Sequence, residues 1–125
     1  MGRERKMTGA SGERIASGFL KKLGYRILKS NFRTPFGEID IVAKHKGIMV
    51  FVEVKSRTTS SFGPPYLSVT KTKQTHIVKN ALFYLKRRRI INAYWRIDIV
   101  SVKLNYDGKL EAIELIENAV EDNCI

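Results

Sequence analysis

Gly37-Glu38-Ile39-Asp40-Ile41-Val42-Ala43-Lys44-His45-Lys46-Gly47-Ile48-Met49-Val50-Phe51-Val52-Glu53-Val54-Lys55-Ser56-Arg57 reads as two strands, Glu38 to about Lys44 and Ile48 to about Lys55, joined through His45-Lys46-Gly47. Successive side chains of a strand point to opposite faces. Ile39 and Ile41 are therefore expected on one face of the first strand, with Glu38 and Asp40 on the other. In the second strand Val50, Val52 and Val54 share a face, and Glu53 and Lys55 take the other. Folding the hairpin about Lys46-Gly47, with a loop of two residues or of four (His45 to Ile48), sets Asp40 opposite Glu53 and Glu38 opposite Lys55. Opposed side chains lie roughly 5 Å apart at Cβ. Two or three carboxylates and a lysine thus meet on one patch, backed by valine and isoleucine. Both strands are rich in apolar residues, as in the centre of a sheet covered on two sides.

The flanking sequence supplies the cover. Ile15, Ala16, Phe19, Leu20 and Leu23 recur at helical spacing and predict a helix from about Ser11 to Leu23, stopped by Gly24. A strand follows near Tyr25 to Arg33, and Pro35 and Gly37 mark the turn into the hairpin. Thr58 to Pro65 is rich in turn formers and reads as a mobile loop. A second helix is expected from about Thr70 to Arg88, with Ile77, Ala81 and Leu85 on one stripe. Basic residues crowd its last turn, at the negative end of the helix dipole. Two more strands, Trp95 to Leu104 and Leu110 to about Ile116, flank the turn signal Asp107-Gly108. The order helix, three strands, helix, two strands predicts an α/β fold: a central mixed five-stranded sheet flanked by helices.

At 125 residues the chain has the usual size of one domain, expected over residues 1–125 with Met1 to Met7 a loose basic arm. Hydrophobic residues at 43% suffice for a packed core and argue against global disorder. No apolar run reaches the roughly 20 residues of a membrane span, and the charged N-terminus does not have the pattern of a secretory signal. Cys124 is the one cysteine; no intrachain disulfide or multi-cysteine zinc site can form, so a cytoplasmic location is expected. Twenty-three Lys and Arg against 12 Asp and Glu leave a net charge of +11. Such an excess points to a polyanion, nucleic acid before an anionic membrane surface, because no basic amphipathic segment with exposed bulky apolar residues supports the latter.

Carboxylates a few ångströms apart repel unless a cation sits between them. Oxygen donors favour Mg²⁺ or Mn²⁺, and such an ion activates water and stabilises charge on a phosphodiester. Asp40 and Glu53 are the expected metal ligands. Lys55 would orient the attacking water or neutralise the phosphate, and the sequence leaves both roles open. The bland reading is that alternating charges mark a solvated strand face. Clustered carboxylates are nevertheless not what mere phosphate binding requires. His45 and His76 have no ligand spacing, so His45 reads as a turn residue and His76 as helix surface.

Asp40 followed by Glu53-Val54-Lys55 resembles the PD-(D/E)xK signature of restriction-endonuclease-like nucleases, with Ile39 in place of the adjacent proline. More closely, the chain resembles the YraN-like bacterial family. The matching residues are Gly12-Glu13, Gly24-Tyr25, Gly37 to Asp40, Phe51 to Lys55 with Arg57, Phe62-Gly63-Pro64, Lys73-Gln74 and Arg96-Ile97-Asp98. That family is similar to archaeal Holliday-junction resolvases. The resemblance implies a restriction-endonuclease-like fold and binding of branched DNA. Together with the acidic patch it leads to the expectation of an Mg²⁺- or Mn²⁺-dependent endonuclease (a hydrolase) acting on DNA, and, because cutting a junction needs two active sites, of a homodimer. The resemblance also brings Glu13 to the metal site and Lys73 and Gln74 near it. The expected site then comprises Asp40, Glu53, Lys55, Glu13 and Glu38. The Val54 carbonyl is expected as a backbone metal ligand, and Arg33, Arg57, Lys71, Lys73 and Gln74 are expected to contact nucleic acid. The rival expectation is a non-catalytic nucleic-acid-binding module that keeps the fold. Asp98 is expected to pair with Arg96, and Cys124 to be incidental.

Overall fold

In the computed structural model the backbone is described for residues 2–58 and 69–120, and the side chains for 11–58 and 69–120. The elements are α1 (Gly2–Lys22), β1 (Arg26–Thr34), β2 (Gly37–His45), β3 (Ile48–Arg57), α2 (Lys71–Arg87), β4 (Trp95–Leu104) and β5 (Leu110–Ile116). The expected order holds, and β4 and β5 have the expected limits. α1 does not begin at Ser11. It starts at Gly2 and takes in the stretch read as a loose basic arm. Arg3, Glu4, Arg5, Lys6 and Met7 are all strong helix formers, so backbone propensity extends the helix beyond its apolar stripe. The expected loop Thr58 to Pro65, with Phe62-Gly63-Pro64, falls outside the described residues after Thr58, as does Cys124.

The five strands form one sheet in the order β1-β2-β3-β4-β5. The β1/β2, β2/β3 and β4/β5 pairs are antiparallel, while β3 and β4 run parallel. That parallel step needs a crossover, and α2 provides it. The sheet separates two cores. On one face Ala16 and Leu20 of α1 pack on Ile41, Ala43, Val50, Val52, Val100 and Val102. On the other, Val78, Ala81, Tyr84 and Leu85 of α2 pack on Val42, Met49, Phe51 and Ile97. β2 and β3 are therefore covered on both faces, as their composition requires. Among the described residues, no helix is long and apolar enough to cross a membrane.

Two local devices fix the helices on the sheet. Gly12 lies where α1 crosses β3: a Cβ there would stand 2.8 Å from the Ser56 Cβ, so only glycine permits this approach. Gly37 opens β2 at φ 138°, a conformation that L side chains rarely adopt. Beside it, Thr34 Oγ1 is hydrogen-bonded to the buried Asn80 of α2, tying the β1–β2 turn to that helix.

A polar network anchors the sheet near the β2–β3 turn. Asp98, fully buried, accepts from the Tyr25 hydroxyl at 2.9 Å, Arg96 Nε at 3.0 Å and the Asn118 N–H at 2.9 Å. Arg96 Nη2 also donates to the Tyr25 hydroxyl at 2.9 Å. The expected Arg96–Asp98 pair is present, within a larger cluster. His45 is more than a turn residue, since its ring stacks on Tyr25 with centroids 4.1 Å apart.

Candidate active site

The β2/β3 register pairs His45 with Ile48, Ala43 with Val50 and Ile41 with Val52. Continued by one step, it sets Asp40 opposite Glu53, as counting from the turn requires. At this step, however, the pairing ends. Val54 N–H donates to Asp40 Oδ2 at 2.8 Å, so a side chain takes the place of a backbone carbonyl. Ile39 correspondingly packs in the α2-side core while Ile41 packs in the α1-side core. Strict alternation had placed both isoleucines on one face. The correction is local: the isoleucines on either side of Asp40 pack in different cores, and the Asp40 carboxylate meets β3 at the gap where the backbone pairing ends.

Glu53 reaches this gap from the α2 side. The Asp40 and Glu53 carboxyl groups lie within side-chain hydrogen-bonding reach, and Lys55 Nζ is 3.2 Å from Glu53 Oε1. Side-chain exposure of Glu53 and Lys55 is only 18% and 23%. Burial is the main cause that pushes the Asp40 carboxyl up to about 8, reinforced by Glu53 and opposed by the Val54 N–H. Glu53 is also raised by burial, but Lys55, the Asp40 hydrogen bond and Lys73 oppose the rise. Burial and mutual repulsion thus raise both carboxyl groups, and the cations act on Glu53.

Glu13 and Glu38 form the outer part of the cluster. With its amide nitrogen facing them, Asn31 donates to Glu38 Oε1 at 2.6 Å and to Glu13 Oε2 at 3.0 Å. Glu13 is raised by burial and by Glu38, against the Asn31 bond. Glu38 thus turns to Asn31, whereas Lys55 pairs with Glu53 along its own strand. Among the described residues, no three His, Cys, Asp or Glu side chains gather closely enough to hold a metal ion by themselves. Asp40, Glu13 and Asn31 open into a cleft of about 670 Å³ between α1 and β1, rimmed by Arg14 and Lys21.

The expected contact residues separate into groups. Lys73, in the first turn of α2, lies near enough to act on Glu53. Lys71 is exposed beside it. Gln74 Nε2 donates to the Val69 carbonyl at 3.3 Å, which supports the helix entry. Arg57 ends β3 beyond Lys55. Arg33 stands opposite Glu38 in the β1/β2 register. Sequence reading missed Asn31, whose φ is 54°. An asparagine inside a strand pattern was the available signal, because Asn tolerates that conformation better than most residues.

A family model described as "Uncharacterised protein family UPF0102" matches residues 12–102, a span that contains Glu13, Asp40, Glu53 and Lys55. A UPF0102 protein of Desulfosudis oleivorans is 48% identical over 120 residues, covering 96% of this chain and 94% of its own. One of Caldicellulosiruptor saccharolyticus is 45% identical over 111 residues, covering 89% and 94%. A third, of Geobacter metallireducens, is 45% identical over 116 residues, covering 93% of each. With the family model and these near-full-length relatives in agreement, the chain belongs to the UPF0102 family.

Proposed function

We propose that this protein is a divalent-metal-dependent endonuclease that hydrolyses DNA phosphodiester bonds on a restriction-endonuclease-like fold. One observation carries the reading: the half-buried Asp40–Glu53 pair, with Lys55 on Glu53, at the point where the pairing of two central strands ends. A structural role explains it poorly. Two carboxyl groups in a low-dielectric gap destabilise each other, and apolar residues there would extend the adjoining cores.

The donor set fits a small hard cation. Its acceptors are oxygens, their repulsion is relieved by positive charge, and Mg²⁺ needs only one or two carboxylates alongside water and substrate phosphate. Asp40 and Glu53 would hold the ion, joined by the Val54 carbonyl and, through water, Glu13. A residue in extended backbone points its N–H and C=O to the same strand edge, so the Val54 carbonyl shares the edge that faces Asp40. When bound, Mg²⁺ or Mn²⁺ supplies a Lewis acid for the phosphate and lowers the pKa of a coordinated water.

The chain's own groups complete the site. Lys55, held by Glu53, presents an ammonium that orients the attacking water or offsets charge on the phosphate. Asn31 fixes Glu13 and Glu38 at the outer edge. Lys71 and Lys73 with Arg33 and Arg57 place cations around the acidic gap, where they would hold flanking phosphates. We take branched or junction DNA as the substrate, on the resemblance to junction resolvases. Cutting two strands of a junction calls for two such sites, hence a homodimer.

The test is a cleavage panel of linear, nicked, flapped and four-way DNA, with RNA counterparts, in Mg²⁺ or Mn²⁺ and in EDTA. The expected result is metal-dependent scission that EDTA abolishes. Tight binding without cutting of any substrate would replace this reading with a non-catalytic nucleic-acid-binding module.

A further inference from the structure

A second cleft lies on the α2 side of β1, separate from the acidic gap. It encloses about 570 Å³, and its lining includes Lys29 and Arg33 from β1, Arg87 and Arg88 from the end of α2, and Phe32. The helix dipole accounts for basic residues at the end of α2. It does not account for two β1 cations directed into the same cleft. Like charges brought together from separate elements repel. Among the described residues, the ion pairs join Lys55 to Glu53, Arg96 to Asp98 and Lys103 to Glu111, and none takes a residue of this cleft.

The cleft also has an aromatic edge. Phe32 is half-buried, edge-on to Tyr84 with centroids 5.0 Å apart. The Arg88 guanidinium lies 5.5 Å over the Tyr84 ring, which fixes one cation in place. Asn31 lines both this cleft and the acidic one, so the two meet across the exposed edge of β1. A linear polyanion can therefore follow cations on the α2 side, cross β1 at Asn31 and enter the cleft beside Asp40 between Arg14 and Lys21.

We propose that the Lys29–Arg33–Arg87–Arg88 cleft binds the phosphodiester backbone of nucleic acid, with Phe32 available to a base, and leads that strand over β1 to the acidic gap. The inference extends the nuclease reading to a new part of the surface. It concerns binding, which is measured without metal.

The experiment titrates the intact protein in EDTA against short fluorescent single-stranded and duplex DNA at several salt concentrations. The Lys29→Gln/Arg87→Gln double variant is compared with the Lys103→Gln/Lys109→Gln double variant, which removes the same charge at the β4–β5 edge. Arg88 stays, because its stacking on Tyr84 links it to the core. Each lost phosphate contact is expected to lower the slope of log affinity against log salt by about 1. The first variant should thus lose about 2 from the slope and roughly tenfold in affinity at moderate salt, while the β4–β5 edge variant stays within about twofold of the parent. Unchanged affinity and slope for the first variant, or equal losses in both, would overturn the proposal. Melting curves confirm that both variants fold. If parent protein binds in this way and yet cuts nothing in the metal panel, the cleft stands and only the nuclease reading falls.

Discussion

Asp40 carries two opposed demands, since the folded metal-free protein keeps it protonated and a cation requires it ionised. Its carboxyl rises from an ordinary 3.8 to about 8, chiefly through burial and then through Glu53. Between these values the unfolded chain releases the proton while the folded chain retains it. Stability is therefore fully present below about pH 4 and is lost as pH rises through about 8. Each pH unit of difference is worth at most about 1.4 kcal/mol, a bound that water reaching the gap lowers. Asn at position 40 would still accept from Val54 and would donate to Glu53 without titrating. Asp40→Asn should then melt several degrees higher than the parent in EDTA near pH 8 and match it near pH 4. Parallel melting-temperature profiles for the two proteins would show that the gap does not hold this proton. Lys55→Ala removes the ammonium 3.2 Å from Glu53, which pushes that carboxyl higher still. Cleavage should fall by about 10²- to 10³-fold, the usual cost of losing one group aimed at developing charge. DNA binding in EDTA should persist; equal cleavage rates for variant and parent would move the chemistry away from Lys55.

Among the elements, α1 sets how Glu13 meets the acidic pair, and Gly12 sets how closely α1 approaches. A methyl group at Gly12 meets both Cβ and Oγ of Ser56, at 2.8 and 2.7 Å. The hydroxyl can rotate away, but the Cβ cannot. Gly12→Ala should therefore cost about 1–3 kcal/mol, typical of overpacking, and should weaken cleavage by displacing Glu13. Adding Ser56→Gly relieves the contact and should recover most of the lost melting temperature in thermal unfolding; no recovery would place the cost elsewhere. The sequence patterns made much of this arrangement legible. Alternation and the His45–Ile48 turn gave the β2/β3 register, hence the meeting of Asp40 and Glu53, because both are local periodicities counted from one turn. The break at Asp40 could not be read in the same way. It depends on a side chain replacing a backbone acceptor, which alternation does not encode. Asn31 was hidden because its role depends on glutamates from two other elements. The Tyr25–Asp98 bond was hidden because it joins residues far apart along the chain.

Across the molecule, stability and the proposed chemistry rest on different acids, Asp98 fully buried and Asp40 half-buried. Asp98 is surrounded by donors and paired with Arg96, whereas Asp40 sits among other carboxyl groups. Asp98 ties β4 to the entry of β1 and to the turn after β5, and His45 stacks at the far end of β2. Five residue steps of extended strand separate His45 from Asp40, about 16 Å at 3.3 Å per step, so the network supports the sheet at a distance from the acidic gap. Asp98→Asn removes one charge from a buried pair, leaves Arg96 uncompensated and sets an amide N–H₂ against donors. Breaking a buried pair from one side costs about 3–5 kcal/mol. Asp98→Asn should therefore melt well below the parent, yet cleave at a near-parental rate at temperatures where it remains folded. Asp40→Asn should do the reverse, melting higher in EDTA and cutting little. The two variants exchange the same pair of side chains and differ only in environment, so calorimetry and cleavage rates measured side by side give a crossed pattern. A fully folded Asp98→Asn protein that no longer cuts would mean that the network also positions the site, and that the Tyr25–His45–Arg96–Asp98 cluster belongs to the functional machinery.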